Sequence, residues 1–181
     1  MGTTDAKNRI GNISKLESVD KLDMTRRLFK NCKNLLVRHG QYSPVILLHF
    51  PRRGWYVVNT FFGDRPEKMA YMQNLVTFVK ANDIDEVIGV NEVWTVHDNN
   101  HEKILKRIGS GKDLATLRNK GESLMLDYIN KDGVMFSRMA QFSRKKDGLI
   151  HFDSTSLVKA KDSDSMAIYY PVLDLWGLVK E

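Results

Sequence analysis

The chain has a single cysteine, Cys32, so no disulfide can form within its 181 residues. That excludes a small extracellular scaffold held by disulfides and fits a reducing compartment, the cytoplasm. No apolar run approaches the roughly 20 residues a membrane-spanning helix needs, so no membrane partner is expected. The stretch MGTTDAKNRIGNIS lacks the apolar core of a signal peptide. Gly2 follows Met1, but Ala6 stands where N-myristoylation favours Ser or Thr. Internal repeats and low-complexity segments are also missing.

Most catalytic signatures are missing as well. Gly109-Ser110-Gly111-Lys112 lacks the upstream glycine spacing of a phosphate loop and the Ser or Thr that should follow its lysine. There is no G-x-S-x-G elbow. No zinc finger or RNP-like aromatic motif points to nucleic acid. Asp85-Glu86 with later lysines is too common a pattern to identify a nuclease. Cys32 shares an apolar helical stripe and has no evident histidine partner, so it reads as core.

What is present is ordinary for a soluble globular protein: 42% hydrophobic and 28% charged residues. The length suits one domain with a sizeable core. Residues 1–13 read as a flexible N-terminus and 14–181 as a single α+β domain. The net charge of +6 is uneven. Residues 1–40 carry nine basic and four acidic side chains, or +5; residues 41–100 carry −2 and residues 101–181 carry +3. The excess in the first helical region suits either a solvated helix face or a nucleic-acid footprint. Arg26-Arg27 and Arg144-Lys145-Lys146 lack interleaved aromatics and would serve phosphate contact at most.

Periodicity sets the elements. Ser14 and Glu17 fit a capping box for a helix from about Lys15 to Arg38, with a break within 21–33 allowed and His39-Gly40 as its C-cap. Pro44 to Phe50 and Gly54 to Phe62 pair as a hairpin around Pro51-Arg52-Arg53-Gly54. Asp64, Pro66 and Glu67 open a second helix, whose stripe is Met69, Met72, Val76 and Val79. Glu86 to Val96 is the central strand, apolar on both faces and so covered on both sides. His97 to Lys120 reads as a long loop with a short helix over 101–108. Strands follow at Gly121 to Ile129, Val134 to Ser143 and Leu149 to Ser154, the last two joined through the strong Asp147-Gly148 turn signal. Met166 to Tyr170 is a last strand and Pro171 to Leu178 an apolar closing segment. Hairpins dominate, so the class is α+β with a mostly antiparallel sheet, an N-terminal helix and one helix between strands packed on it. A Rossmann fold or TIM barrel would need regular intervening helices.

Glu92 lies between Val90 and Trp94 on a strand face that should be buried. A carboxylate there needs a partner, a proton or a cleft, because burying an unpaired charge is expensive. Glu122 and Arg138 fall on equally apolar faces of the next two strands. If the three faces are one, Arg138 can hold one carboxylate through a forked pair of hydrogen bonds, and Arg118 the other. This set, with Trp94, is the candidate ligand-binding site; a structural ion network uses the same residues. The alternation also means that a one-residue register shift would move Glu92 to the opposite face.

A second pattern is metal-like. Glu92, His97, Asp98, His101 and Asp113 offer imidazole and carboxylate donors suited to zinc or a similar divalent ion. With Ser110, their order is similar to that of JAMM/MPN metalloproteases, which have Glu, His-x-His, then Ser-x-x-Asp. His97 and His101 are three residues apart where that pattern has one. A four-residue spacing suits a helix, whereas Asp98-Asn99-Asn100 reads as a turn. No other cofactor is implied.

The run VNEVWTV, a polar loop and LRNKGESLML resembles an uncharacterised family of small bacterial and phage-associated proteins. The shared features are Glu92 and Trp94 on one strand, then Arg118, then Glu122 at the start of the next. The resemblance implies no activity. The leading functional expectation is a non-enzymatic binding or interaction module with a carboxylate–arginine site. It forms a homo-oligomer through exposed sheet edges or the apolar segment VLDLWGLV. The alternatives are a metal-dependent hydrolase using Glu92, His97 and His101, and a nucleic-acid-binding protein using the basic first helix.

Overall fold

The computed structural model describes residues 20–60, 65–96, 120–159 and 169–179. In chain order the elements are α1 (Lys21–His39), β1 (Val45–Phe50), β2 (Gly54–Asn59), α2 (Arg65–Ala81), β3 (Glu86–Val96), β4 (Lys120–Asn130), β5 (Met135–Arg144), β6 (Ile150–Lys159) and α3 (Tyr170–Leu175). The six strands form one sheet in the order β2-β1-β3-β4-β5-β6. Every neighbouring pair is antiparallel, and the class is α+β.

β3 is central because both its faces are apolar. Ile88 and Val90 join Leu47, Leu124, Leu126, Tyr128, Phe136, Ala140 and Phe142 on one face of the sheet. Met24, Phe29, Cys32 and Leu36 of α1 fill the other half of that core. Their spacings of three to five residues put them on one stripe of the helix. The opposite face carries Ile46, Leu48, Val87 and Ile129, closed by Met72, Leu75 and Val79 of α2 with Tyr169, Val172 and Leu173. Each large apolar side chain so buried is worth roughly 1.5–3 kcal/mol before entropy is counted.

α1 is one unbroken helix through residues 21–33. Its N-cap is Asp20, whose carboxylate accepts from the Leu22 N–H at 3.1 Å. The start expected at Lys15 is therefore not where this helix begins; Ser14 and Glu17 lie outside the described residues. Gly40 ends it as expected, at φ 73°, its N–H donating to the Leu36 carbonyl at 2.8 Å. A side chain at that left-handed position would be strained. The Asp147-Gly148 hairpin also forms, with Gly148 at φ 79° and the Asp147 carboxylate accepting from the Leu149 N–H.

Further differences from the expectation lie at the end of β2, which stops at Asn59, at β6 and at α3. β6 was expected to stop at Ser154 but runs to Lys159, because the ladder to β5 continues as far as Phe136↔Lys159. Backbone pairing, not burial, carries this polar stretch. The strand expected over 166–170 is replaced, in its described part, by the start of α3. Pro171 explains this: it cannot donate to a ladder but suits a first helical turn. Residues 97–119, with the expected loop and short helix, lie outside the described residues.

Candidate functional site

Three cross-strand rows organise the site. Val90, Leu126 and Arg138 lie opposite one another, as do Glu92, Leu124 and Ala140, and Trp94, Glu122 and Phe142. Opposite residues share a face. Glu92, Trp94, Glu122 and Arg138 are thus all on the face that α1 covers, which meets the condition that the alternation left open.

The cation that meets the two carboxylates is Arg144, the last residue of β5. Its Nη2 donates to Glu92 Oε2 at 2.8 Å and its Nε to Glu122 Oε2 at 3.0 Å. Its Nη1 donates to the Gly40 carbonyl, and the Tyr42 N–H donates to Glu92 Oε1. One planar guanidinium therefore joins the ends of β3, β4 and β5 to the C-cap of α1. A fork of fixed geometry suits this better than a lysine would. Phe142 packs beside it, with the guanidinium carbon 5.2 Å from the ring centroid.

Arg138, the expected partner, does something else. It is only 8% exposed, and its Nη2 donates to the Leu22 carbonyl at 2.6 Å and its Nε to Thr25 Oγ1 at 3.2 Å. Burial, and then the charge of Arg26, lowers its pKa. It anchors the first turn of α1 to the sheet. Arg118, the other expected partner, lies outside the described residues, as do His97, His101, Asp98, Ser110 and Asp113. Trp94 is 42% exposed, with the Lys120 ammonium 4.4 Å from its ring centroid. Alternation carried one step beyond Phe142 would have found Arg144. The expected end of the strand at Ser143 hid it among the hairpin lysines.

A second polar cluster lies at the other end of β3. His49 and Glu86 are directly opposite across β1 and β3. Glu86 is 7% exposed; its Oε1 accepts from Lys21 Nζ at 2.6 Å and its Oε2 from the Tyr128 hydroxyl at 2.8 Å. Burial, and then this bond to a carboxylate, drives the Tyr128 pKa well up. His49 Nδ1 is 2.7 Å from Asp85 Oδ1 and 3.8 Å from Glu86 Oε1. Its ring tilts against Trp55 at 5.0 Å between centroids, and Lys21 Nζ sits 5.9 Å over the Trp55 indole. The sequence signal for Glu86 was the alternation that singled out Glu92, six residues earlier on the same face.

Chemically, the first cluster is a clamp: both Glu92 oxygens and three guanidinium nitrogens are engaged within the chain. The second brings an imidazole and two carboxylates together.

Among known proteins, neither the curated proteins nor the solved structures give a match. A family model does, over residues 6–180, and its description is bacteriophage lambda protein ea47. That span includes every residue of the resemblance carried by Glu92, Trp94, Arg118 and Glu122. No helix among the described residues is long and apolar enough to cross a membrane. By the extent of this match, the chain belongs to the phage lambda Ea47 family.

Proposed function

We propose that this protein is a non-enzymatic interaction module that pairs with a second copy of itself through the outer edge of β6. The carrying observation is the exposure of β6. All seven residues from Asp153 to Lys159 are exposed in succession, Leu157 at 42% and Val158 at 54%. Successive side chains point to opposite faces, so among the described residues both faces of this stretch are largely open, with Lys33 of α1 reaching Thr155 at 3.1 Å. Among the described residues, β6 has β5 as its single neighbour. A long edge with apolar side chains is a template for strand addition.

The register supports a copy of the chain as the occupant. The ladder between β5 and β6 slips between Ala140 and Phe142, which leaves Thr155–Lys159 as the regular part of the edge. A two-fold antiparallel pairing centred on Leu157 stacks that residue on its symmetry mate and sets Ser156 opposite Val158. In this reading Glu92, Glu122 and Arg138 form the frame that holds α1 on the sheet. Of the described members of the expected ligand set, Trp94 is the exposed one.

Two features of the geometry weigh against the rival readings. In α1, Lys21 pairs with Glu86, while Arg26 and Arg27 both pair with Asp23, which reduces the basic face available to phosphate. Glu92 accepts from the Tyr42 backbone N–H and from Arg144, whose guanidinium is also held by Glu122 and the Gly40 carbonyl, so neither donor is a mobile lone ammonium that an incoming metal ion could displace.

Native mass spectrometry of the untagged protein tests the proposal. The expected result is a dimer that Val158→Lys converts to a folded monomer. A monomer across a concentration series to about 100 μM, where even weak edge pairing should register, overturns it.

A further inference from the structure

Among the described residues, one place brings three potential metal ligands together: His49, Asp85 and Glu86, whose donor atoms all lie within 4.8 Å of one another. The three are held by adjoining backbone on β1 and at the start of β3. His49 and Glu86 are a cross-strand pair, and the Asp85 N–H donates to the His49 carbonyl at 3.3 Å. The Asp85 carbonyl in turn accepts from the Lys131 N–H at 2.9 Å, which fixes the entry to β3. The donors are therefore placed by the sheet and not by long flexible side chains.

The cluster also already holds a cation. The Lys21 ammonium sits 2.6 Å from Glu86 Oε1, delivered by the first residue of α1. Glu86 meets that ammonium at contact distance, and His49 lies between this carboxylate and that of Asp85. Asp85 and Lys21 keep about a third of their side-chain surface exposed, at 33% and 35%, so the cluster is open to solvent on their side. Lysine's long stem allows the ammonium to swing out without moving the helix.

We infer that His49, Asp85 and Glu86 bind a divalent first-row transition-metal ion, with Lys21 as the cation that the metal displaces. The imidazole selects against magnesium and calcium, which prefer all-oxygen shells. Ligand atoms about 2.0–2.2 Å from zinc are separated from each other by about 3–4 Å. The 3.8 Å gap between His49 Nδ1 and Glu86 Oε1 already meets this, and the 2.7 Å gap to Asp85 has to open slightly. Three protein donors leave a coordination position for water or a ligand, as in open rather than closed zinc sites. The site lies toward the opposite side of the sheet from β6, so it stands or falls independently of self-association.

The test is to titrate chelator-stripped, untagged protein with ZnCl2, MnCl2 and MgCl2, following Trp fluorescence and native mass. Zinc or manganese should bind at one equivalent and raise the melting temperature, while magnesium does not compete. His49→Gln and Asp85→Asn should each weaken binding at least about tenfold, the scale of losing metal-site support. Lys21→Met should tighten it, because the competing ammonium is gone; a purely structural ion pair predicts lost stability and no tightening. Should Glu86→Gln fail to fold, Asp85→Asn, at a more exposed position, decides. Folded protein that takes up no zinc or manganese overturns the inference. Binding undiminished in both His49→Gln and Asp85→Asn overturns it equally, by placing the metal elsewhere.

Discussion

The Tyr169 hydroxyl lies directly over Gly89 in the middle of β3, where a Cβ would come within 1.6 Å of that oxygen and 2.9 Å of the ring carbon bearing it. Tyr169 is fully buried, and Val87 on the same strand face belongs to the same core. The missing side chain on the strand is the space that lets the residue before α3 dock on the sheet. Gly89→Ala should therefore cost about 1–3 kcal/mol by overpacking. Tyr169→Phe in the same background should return part of that loss, since it removes the closest atom. Urea midpoints of the two single variants and the double variant check the coupling.

Arg144 should matter more than its exposed position suggests. Arg144→Met would leave Glu92, Glu122 and the Gly40 carbonyl without their shared donor. We expect a loss of about 1–2 kcal/mol, at the upper end for a partly exposed ion pair because one group serves three acceptors. Arg144→Lys should recover less than half of it, because an ammonium cannot span the same fork. Chemical denaturation of the two variants against the parent measures both effects.

Stability should fall in mild alkali. Burial raises the Cys32 thiol from 9.0 to about 11, opposed by a hydrogen bond from the Tyr42 hydroxyl. Burial also raises Tyr42, Tyr128 and Tyr169 above the usual phenol range. For each group the folded value exceeds the unfolded one. Below pH 9 both states hold the thiol proton and its contribution is fully present. As pH rises from 9 toward 11 the unfolded chain releases protons first, and stability drops. Melting temperature measured against pH should show this decline, and Cys32→Ala should make it shallower. The same burial predicts that Cys32 resists thiol reagents at pH 8 until the chain is unfolded.

A cysteine at the centre of the proposed β6 pairing gives a covalent readout. Leu157→Cys should form a disulfide-linked dimer under mild oxidation, because residues on the two-fold axis of an antiparallel pair bring their Cβ atoms to about 4.5–5.5 Å. The native thiol is buried and does not interfere. Tyr56→Cys, exposed on the opposite edge strand β2, is the control and should stay monomeric on a reducing-agent-free gel.

Much of this architecture is local in origin, and so it could be read from the chain alone. Period-two alternation marked β3, β4 and β5, and the glycine and Asp-Gly signals marked the turns. The apolar stripe of α2 marked the face it buries, at Met72 and Val79, whereas on α1 the expected stripe of Leu28, Cys32 and Leu35 is displaced to Met24, Phe29, Cys32 and Leu36, with Leu35 exposed. The same alternation put Glu92 and Trp94 on one face of their strand and set Glu122 and Arg138 on apolar faces of theirs, while the registers of β3, β4 and β5 made these one face. What parity does not carry is reach. Whether Arg138 or Arg144 meets the carboxylates depends on the register between β4 and β5 and on where α1 ends, and both are set by contacts far apart in sequence. Glu86 and Asp85 were ordinary acidic residues until β1 laid His49 beside them and α1 brought Lys21 over the top. β6 continued past its apolar residues because pairing with β5 holds a strand that no local hydrophobic pattern marks. The sequence by itself determined the alternation along each strand and the turns between them; only the tertiary structure decided which faces coincide and which charges meet, because that is settled by long-range strand order and register.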